Sequence, residues 1–189
     1  MRGRILAAAE AVFAKKGYEG TRIADIAQTA GCSVGAVYFR FKDKDALFFA
    51  IAESFAEDVR GSMAALTAGG DPARIVREFV GRTAASFRAH KGMFRAIVER
   101  GFDHPLAMST IMDLREELGN ALEQSLKKRM KPGRTGDLGL AVRVLTQMVY
   151  GFLLTGILNA KAPTNIADPR AVDEAASAMI AYLDAKGFL

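Results

Sequence analysis

Near the N-terminus, in TRIADIAQTAGCSVGAVYFRFKDKDALFFAI (Thr21–Ile51), two short apolar patterns meet at Gly31. Each is too brief to hold as a helix alone, since isolated helices below about 12 residues are marginal in water. They persist only by packing on one another and on a brace. Thr21 is placed to cap a helix over Arg22–Ala30, in which Ile23, Ile26, Ala27 and Ala30 follow the helical period. Gly31 ends it, and Ser33 is suited to cap a third helix with Val34, Val37 and Phe41 pointing inward. The segment before, Arg4–Lys16, carries the stripe Ile5, Leu6, Ala9, Val12 and Phe13. Lys15 and Lys16 suit its negative end, and Gly17 can take a left-handed cap. Two short helices at a tight glycine turn, braced by a third, make a helix-turn-helix, whose second helix is presented to the major groove of DNA.

The chain beyond is helical as well. Of its 189 residues half are apolar and only five are proline, with no alternating strand pattern of any length. The expectation is an all-α fold of roughly nine helices. Asp43 is placed to cap a fourth helix from Lys44, closed by Gly69 and Gly70, so that Thr67–Asp71 is a break in the chain. Asp71 with Pro72 and Asp168 with Pro169 are further helix starts.

At TRIADIAQTAGCSVGAVYFRFKDKDALF the sequence resembles the DNA-binding signature of the TetR family of bacterial transcriptional regulators, and ILAAAEAVFAKKGYEG is similar to that family's first helix. The likeness covers about Arg4–Phe49. It implies a DNA-binding domain over residues 1–48, with the motif at about 22–41, and a ligand-binding and dimerisation domain over 49–189. It also implies a homodimer on a palindromic operator, most simply a repressor, released when a small molecule enters the C-terminal domain. Two positions depart from the family pattern. Ala36 stands where threonine is frequent and Arg40 where histidine is frequent, which thins the hydrogen-bonding readout and leaves more to DNA shape.

The chemistry of the motif can be read by itself. Gly35, Ala36, Tyr38, Phe39 and Arg40 are the outward positions of the third helix, with Ser33 at its tip. Glycine inside a helix costs about 1 kcal/mol relative to alanine. Close approach of the backbone to a base edge accounts for Gly35, and the Ala36 methyl suits a thymine methyl. Tyr38, Arg40, Thr21 and Lys44 carry donors for phosphate oxygens. Arg22 and Val34 complete the residues expected at the DNA. Cys32 reads as core packing.

Beyond Asp71 the helices hold more large apolar side chains than one packing seam needs. Phenylalanine and methionine suit an adaptable pocket for an apolar or aromatic effector. Phe79, Phe87, Phe94, Ile97, Met108, Ile111 and Met112 are its candidate lining, with Thr83, Gln147 and Tyr150 as polar anchors. Any of them serves equally as core. The last two long helices, about Asp137–Asn159 and Pro169–Lys186, resemble the family's dimerisation pair. Val149, Phe152, Leu153 and Gly156 on the first, and Val172, Ala176, Met179, Ile180 and Leu183 on the second, are the expected interface.

Other classes fare worse. His90 and His104 are the only histidines and neither has a companion at ligand spacing, so neither an enzyme nor a metal site is expected, and nothing calls for a cofactor. The stretch Val144–Ala160 is apolar for about the length of a membrane span, but Gln147, Asn159 and its small residues favour protein contact. A single cysteine and no signal-peptide layout fit the cytoplasm. The net charge of +5 is compatible with a nucleic-acid partner without requiring one. The rival reading is an all-helical dimeric small-molecule-binding protein without DNA recognition.

Overall fold

The structure, a computed structural model, describes residues 1–64, 71–100, 105–129, 136–158 and 164–189, with side chains excepted at 105–108, 157 and 158. Among these residues the chain is all-helical: α1 (Arg2–Lys16), α2 (Ile23–Ala30), α3 (Val34–Tyr38), α4 (Lys44–Ala64), α5 (Pro72–Ala89), α6 (Lys91–Arg100), α7 (Pro105–Lys127), α8 (Leu138–Leu158) and α9 (Pro169–Ala185). The helix starts follow the capping side chains. The Ser33 hydroxyl accepts from Ala36 N at 3.1 Å, Asp43 from Ala46 N at 2.7 Å, Asp71 from Arg74 N at 2.9 Å and Asp168 from Arg170 N at 2.9 Å. The expected closure of α4 at Gly69 and Gly70 lies outside the described residues, as do the Thr67–Gly70 part of the expected chain break and His104.

The chain forms two compact units. One is Met1–Glu57 with His90–Met112, the other Asp58–Ala89 with Asp113–Leu189. The first unit brings α6, from a distant part of the chain, onto α1. The reason lies in Gly92. A Cβ there would overlap the carbonyl oxygen of Glu10 and stand 3.0 Å from Ala14 N, so α6 meets α1 backbone to backbone. Around that contact Phe94 stands edge-on to Phe55, with 5.3 Å between ring centroids, and His90 Nδ1 lies 3.2 Å from Glu10 Oε1. Phe13, Tyr18 and Phe48 form the aromatic centre of this unit. Gly17, expected in the left-handed helical well, instead takes φ 73° and ψ 175°, a region essentially limited to glycine.

In the second unit α5 packs against α8 and α9. Ile75, Val76, Phe79, Val80, Thr83 and Phe87 are buried along α5, against a core that includes Leu145, Val149, Leu153, Val172, Ala176, Met179 and Leu183. Gly156 sits where the segment before α9 crosses α8. A Cβ there would lie 2.8 Å from Ile166 Cγ2, and Arg88 Nη1 donates to Ile166 O at 2.9 Å beside it. Of the described helices only α8, over Leu138–Gly156, is long and apolar enough to cross a membrane. Its Leu145, Val149 and Leu153 are instead buried in protein.

Two glycines give opposite expectations for stability. Gly92→Ala forces a methyl into the α1 backbone and lowers stability by about 1 to 3 kcal/mol. Gly61→Ala adds a methyl in α4 where nothing lies within 4 Å, and raises stability by roughly 0.5 to 1 kcal/mol. Denaturant unfolding of the full chain checks both signs.

Candidate nucleic-acid interface

The turn between α2 and α3 is built by two local motifs laid end to end. Gly31, at φ 62° and ψ 44°, donates its N–H to Gln28 O, and Cys32 N donates to Ala27 O at 3.0 Å. This paired closure needs a left-handed residue, which glycine supplies without a Cβ penalty. One residue past Cys32, the Ser33 cap restarts the helix. Arg4 Nη2 reaches Gly31 O from α1 at 3.3 Å and pins the turn. Val37 (fully buried) and Phe41 (6% exposed) then anchor α3 to the unit, which leaves the rest of its short surface outside.

Most of the residues expected to read DNA lie on that surface. Ser33, Gly35 and Arg40 are exposed and Ala36 is half-buried. Tyr38 is 53% and Phe39 84% exposed. Val34, expected to point both inward and at the DNA, is exposed, because Val37 and Phe41 already fill the inner face. Arg40 Nη1 donates to Ala36 O at 3.1 Å and its guanidinium carbon lies 5.5 Å from the centroid of the Phe39 ring. The arginine is therefore folded along the end of α3.

Thr21, Arg22 and Lys44 are placed differently from one another. Thr21 is buried, and its hydroxyl donates to Gly17 O at 2.5 Å. It does not cap α2. That position belongs to Arg22, whose N–H donates to Asp25 Oδ2 at 3.2 Å while its side chain stays exposed. Lys44 is half-buried, with Nζ donating to Tyr18 O at 2.8 Å and to Thr21 O at 3.3 Å, and lying 4.1 Å from the Tyr18 ring centroid. Two of its three donors thus hold the α1–α2 connection to the start of α4, a role that sequence spacing alone did not reveal. Asp25 supports the same corner. The Lys16 ammonium, 2.9 Å away, holds its carboxyl below the usual carboxylate range, helped by the Arg22 N–H.

The candidate pocket residues divide between the two units. Phe94, Ile97 and Ile111 are buried and Met112 is 38% exposed in the first. Phe79, Thr83 and Phe87 are buried in the second, which also holds the half-buried Tyr150 and the exposed Gln147. The Met108 side chain lies outside the described residues. Within the second unit Phe87 meets Tyr150 edge-on at 5.4 Å, and Arg115 donates to Gln147. Burial pushes the Tyr150 phenol up to about 12, against the opposing pull of Arg115.

Of the expected interface residues, Val149, Leu153, Gly156, Val172, Ala176, Met179 and Leu183 are buried inside their own unit, while Phe152 and Ile180 are half-buried. The open apolar stripe of α8 lies beside the expected interface positions: Leu140 (53% exposed), Val144 (38%) and Met148 (55%), spaced by four. Met148 continues into a groove of about 470 Å3 between α8 and α9, lined also by Phe152, Ala171, Ala175 and Ala178.

A glycine-closed turn, a capped short helix with its outer face free, and a helical second unit define a helix-turn-helix DNA-binding protein. The family description "Bacterial regulatory proteins, tetR family" matches residues 5–51, and "Tetracyclin repressor-like, C-terminal domain" matches residues 71–183. The chain belongs to the TetR family of transcriptional regulators. The regulator YerO of Bacillus subtilis (strain 168) is 34% identical over 91 residues, 47% of this chain and 32% of that protein. The transcriptional repressor Rv1474c of Mycobacterium tuberculosis is 43% identical over 56 residues, 30% of each chain. The chain thus aligns with about a third of the length of these curated relatives. Among solved structures, a transcriptional regulator from Rhodococcus sp. Rha1 has a TM-score of 0.80 at 22% identity, covering 98% of this chain and 97% of that one. FadR from Bacillus subtilis, solved with stearoyl-CoA, has a TM-score of 0.72 at 14% identity, covering 96% and 99%.

Two substitutions test this corner. Lys44→Ala lowers the stability of the protein by about 1 to 3 kcal/mol, because charged hydrogen bonds to two carbonyls are lost, and thermal unfolding without DNA detects it. Asp25→Asn removes a carboxylate whose folded value is depressed, so the stability it contributes is present above its unfolded value of 3.8 and fades as pH falls through the folded one. The variant has the lower melting temperature at pH 7, and the gap closes on acidification.

Proposed function

We propose that this protein is a homodimeric, ligand-responsive repressor that binds a palindromic operator and releases it when a small apolar or aromatic molecule binds the second unit. The observation that carries the reading is the presentation of α3. Ser33, Gly35, Tyr38, Phe39 and Arg40 are open to solvent on a helix fixed from behind by Val37 and Phe41. Ala36 is the remaining, half-buried member of that face. Exposed Arg22 and Arg40 are the candidate phosphate contacts, with the remaining donor of Lys44 and the Tyr38 hydroxyl.

Dimerisation is supported by the open stripe Leu140–Val144–Met148 and the groove it enters, an apolar face that water disfavours. A two-fold axis there would give a self-complementary interface and two recognition helices. Phe87 and Tyr150 support an effector site, because an edge-on aromatic pair carrying one phenol hydroxyl suits an apolar or aromatic ligand with a single polar group. Repression follows the name of the relative Rv1474c, and the FadR structure, solved with stearoyl-CoA, supports a ligand with a large apolar part. These properties, like cytoplasmic location, are the reading that the family membership favours.

Selection from a randomised duplex pool, followed by gel shifts on the enriched sequence, tests the reading. The enriched site is expected to be an inverted repeat, and Met148→Asp to give a monomer by light scattering with specific affinity lost. A protein that stays monomeric at micromolar concentration and enriches no sequence would instead be a helical binder without DNA recognition.

A further inference from the structure

We propose that the Phe39 ring reads a thymine 5-methyl group in the major groove, so that each operator half-site contains one thymine selected for its methyl and not for its hydrogen-bonding edge. The inference rests on α3 being the helix that enters the groove.

Phe39 is the most exposed large apolar side chain among the described residues, at 84%, with the Arg40 guanidinium over its ring. A lone exposed apolar residue needs no explanation. Here Val34, Tyr38 and Phe39 are exposed together on a five-residue helix and its C-terminal cap. The flanking Arg40 and Lys42 are exposed cations, the setting of a surface that meets a polyanion.

Side chains that read a base edge by paired hydrogen bonds are reduced to one on this surface. Direct readout of guanine uses Arg or Lys, of adenine Asn or Gln, and of cytosine Asp or Glu. Between Ser33 and Arg40 only Arg40 belongs to that set, and it is tied to Ala36 O and stacked on Phe39. The Ser33 hydroxyl accepts the Ala36 N–H. What α3 offers is Val34, the Gly35 backbone, the Ala36 methyl and two aromatic rings. The one feature of a base edge in the major groove that matches such a surface is the thymine methyl.

Gly35 shares a face with Phe39, four residues away. A Cβ at Gly35 would meet only Ser33 Oγ, at 3.8 Å, so internal packing does not exclude a side chain there. The bare position leaves a shelf beside the ring on which a base edge can rest. The Arg40 guanidinium over the ring restrains its orientation, as cation–π contacts do.

The test uses duplexes enriched from a randomised pool and resynthesised with deoxyuridine replacing one thymine at a time, which removes a methyl and leaves pairing and edge hydrogen bonds intact. One thymine per half-site is expected to matter, with affinity falling about fourfold per methyl, the value of one buried methylene-sized group. Phe39→Ala should bind the thymine and uridine duplexes equally, with an unchanged melting temperature. If no single replacement alters the binding of an enriched operator, the methyl readout is wrong while operator recognition stands. If Phe39→Ala still discriminates thymine from uridine, the assignment to Phe39 is wrong. If no sequence is enriched at all, both this inference and the regulatory reading beneath it fall.

Discussion

Tyr18 lies in the connection between α1 and α2, with every polar group it has engaged by another element of the same unit. Its N–H donates to Glu99 Oε2 on α6 at 2.7 Å, its carbonyl accepts from Lys44 on α4, and its hydroxyl donates to Asp45. The ring stands 5.5 Å from both Phe13 and Phe48, with Lys44 and the Arg100 guanidinium over it at 4.1 and 4.9 Å. Burial, and then the bond to Asp45, push its phenol far above the ordinary tyrosine range, so it stays a neutral donor. A residue 3% exposed with this many charged neighbours is stable only if all of them are in register. Through it α1, α4 and α6 have one relative arrangement, and the α2–α3 hairpin is built on that arrangement.

The dependence continues outward in short steps. α3 has five residues and cannot hold itself, so its position is that of its anchors, Val37 and Phe41. Its start is fixed by Ser33 and the turn before it by Gly31 and Arg4. A surface placed this way has little freedom to adjust to DNA, which favours shape-matched apolar contact over long, mobile side chains.

Local grammar explains what could be read from the sequence. Ser33, Asp43, Asp71 and Asp168 announce helix starts through bonds within three residues of themselves, and the apolar stripes of α1, α2, α5 and α9 mark faces that are in fact buried. What the sequence leaves open has a different cause. A stripe says that a face is covered, but not by what: Val149, Val172 and Leu183, expected at the interface, are buried within their own unit. Thr21 and Lys44 look like surface donors because the carbonyls they reach are supplied by the α1–α2 connection, whose path depends on α6. One signal was available for the α6 contact: a glycine, Gly92, in the first turn of an otherwise ordinary amphipathic helix.

The face of α8 left open follows from the same limit. A helix apolar on one stripe needs one partner, whereas α8 has Leu145, Val149 and Leu153 on its covered side and Leu140, Val144 and Met148 on the other. A helix apolar all round is stable in water only when both sides are covered. If a second copy supplies the missing cover, as the proposed dimer has it, the apolar side chains of α8 bear directly on DNA reading: one α3 carries too few contacts for specificity, and a two-fold axis doubles them while fixing the spacing of the half-sites. The excess hydrophobicity that makes α8 resemble a membrane span is then the feature that turns a short apolar reading helix into a sequence-specific one.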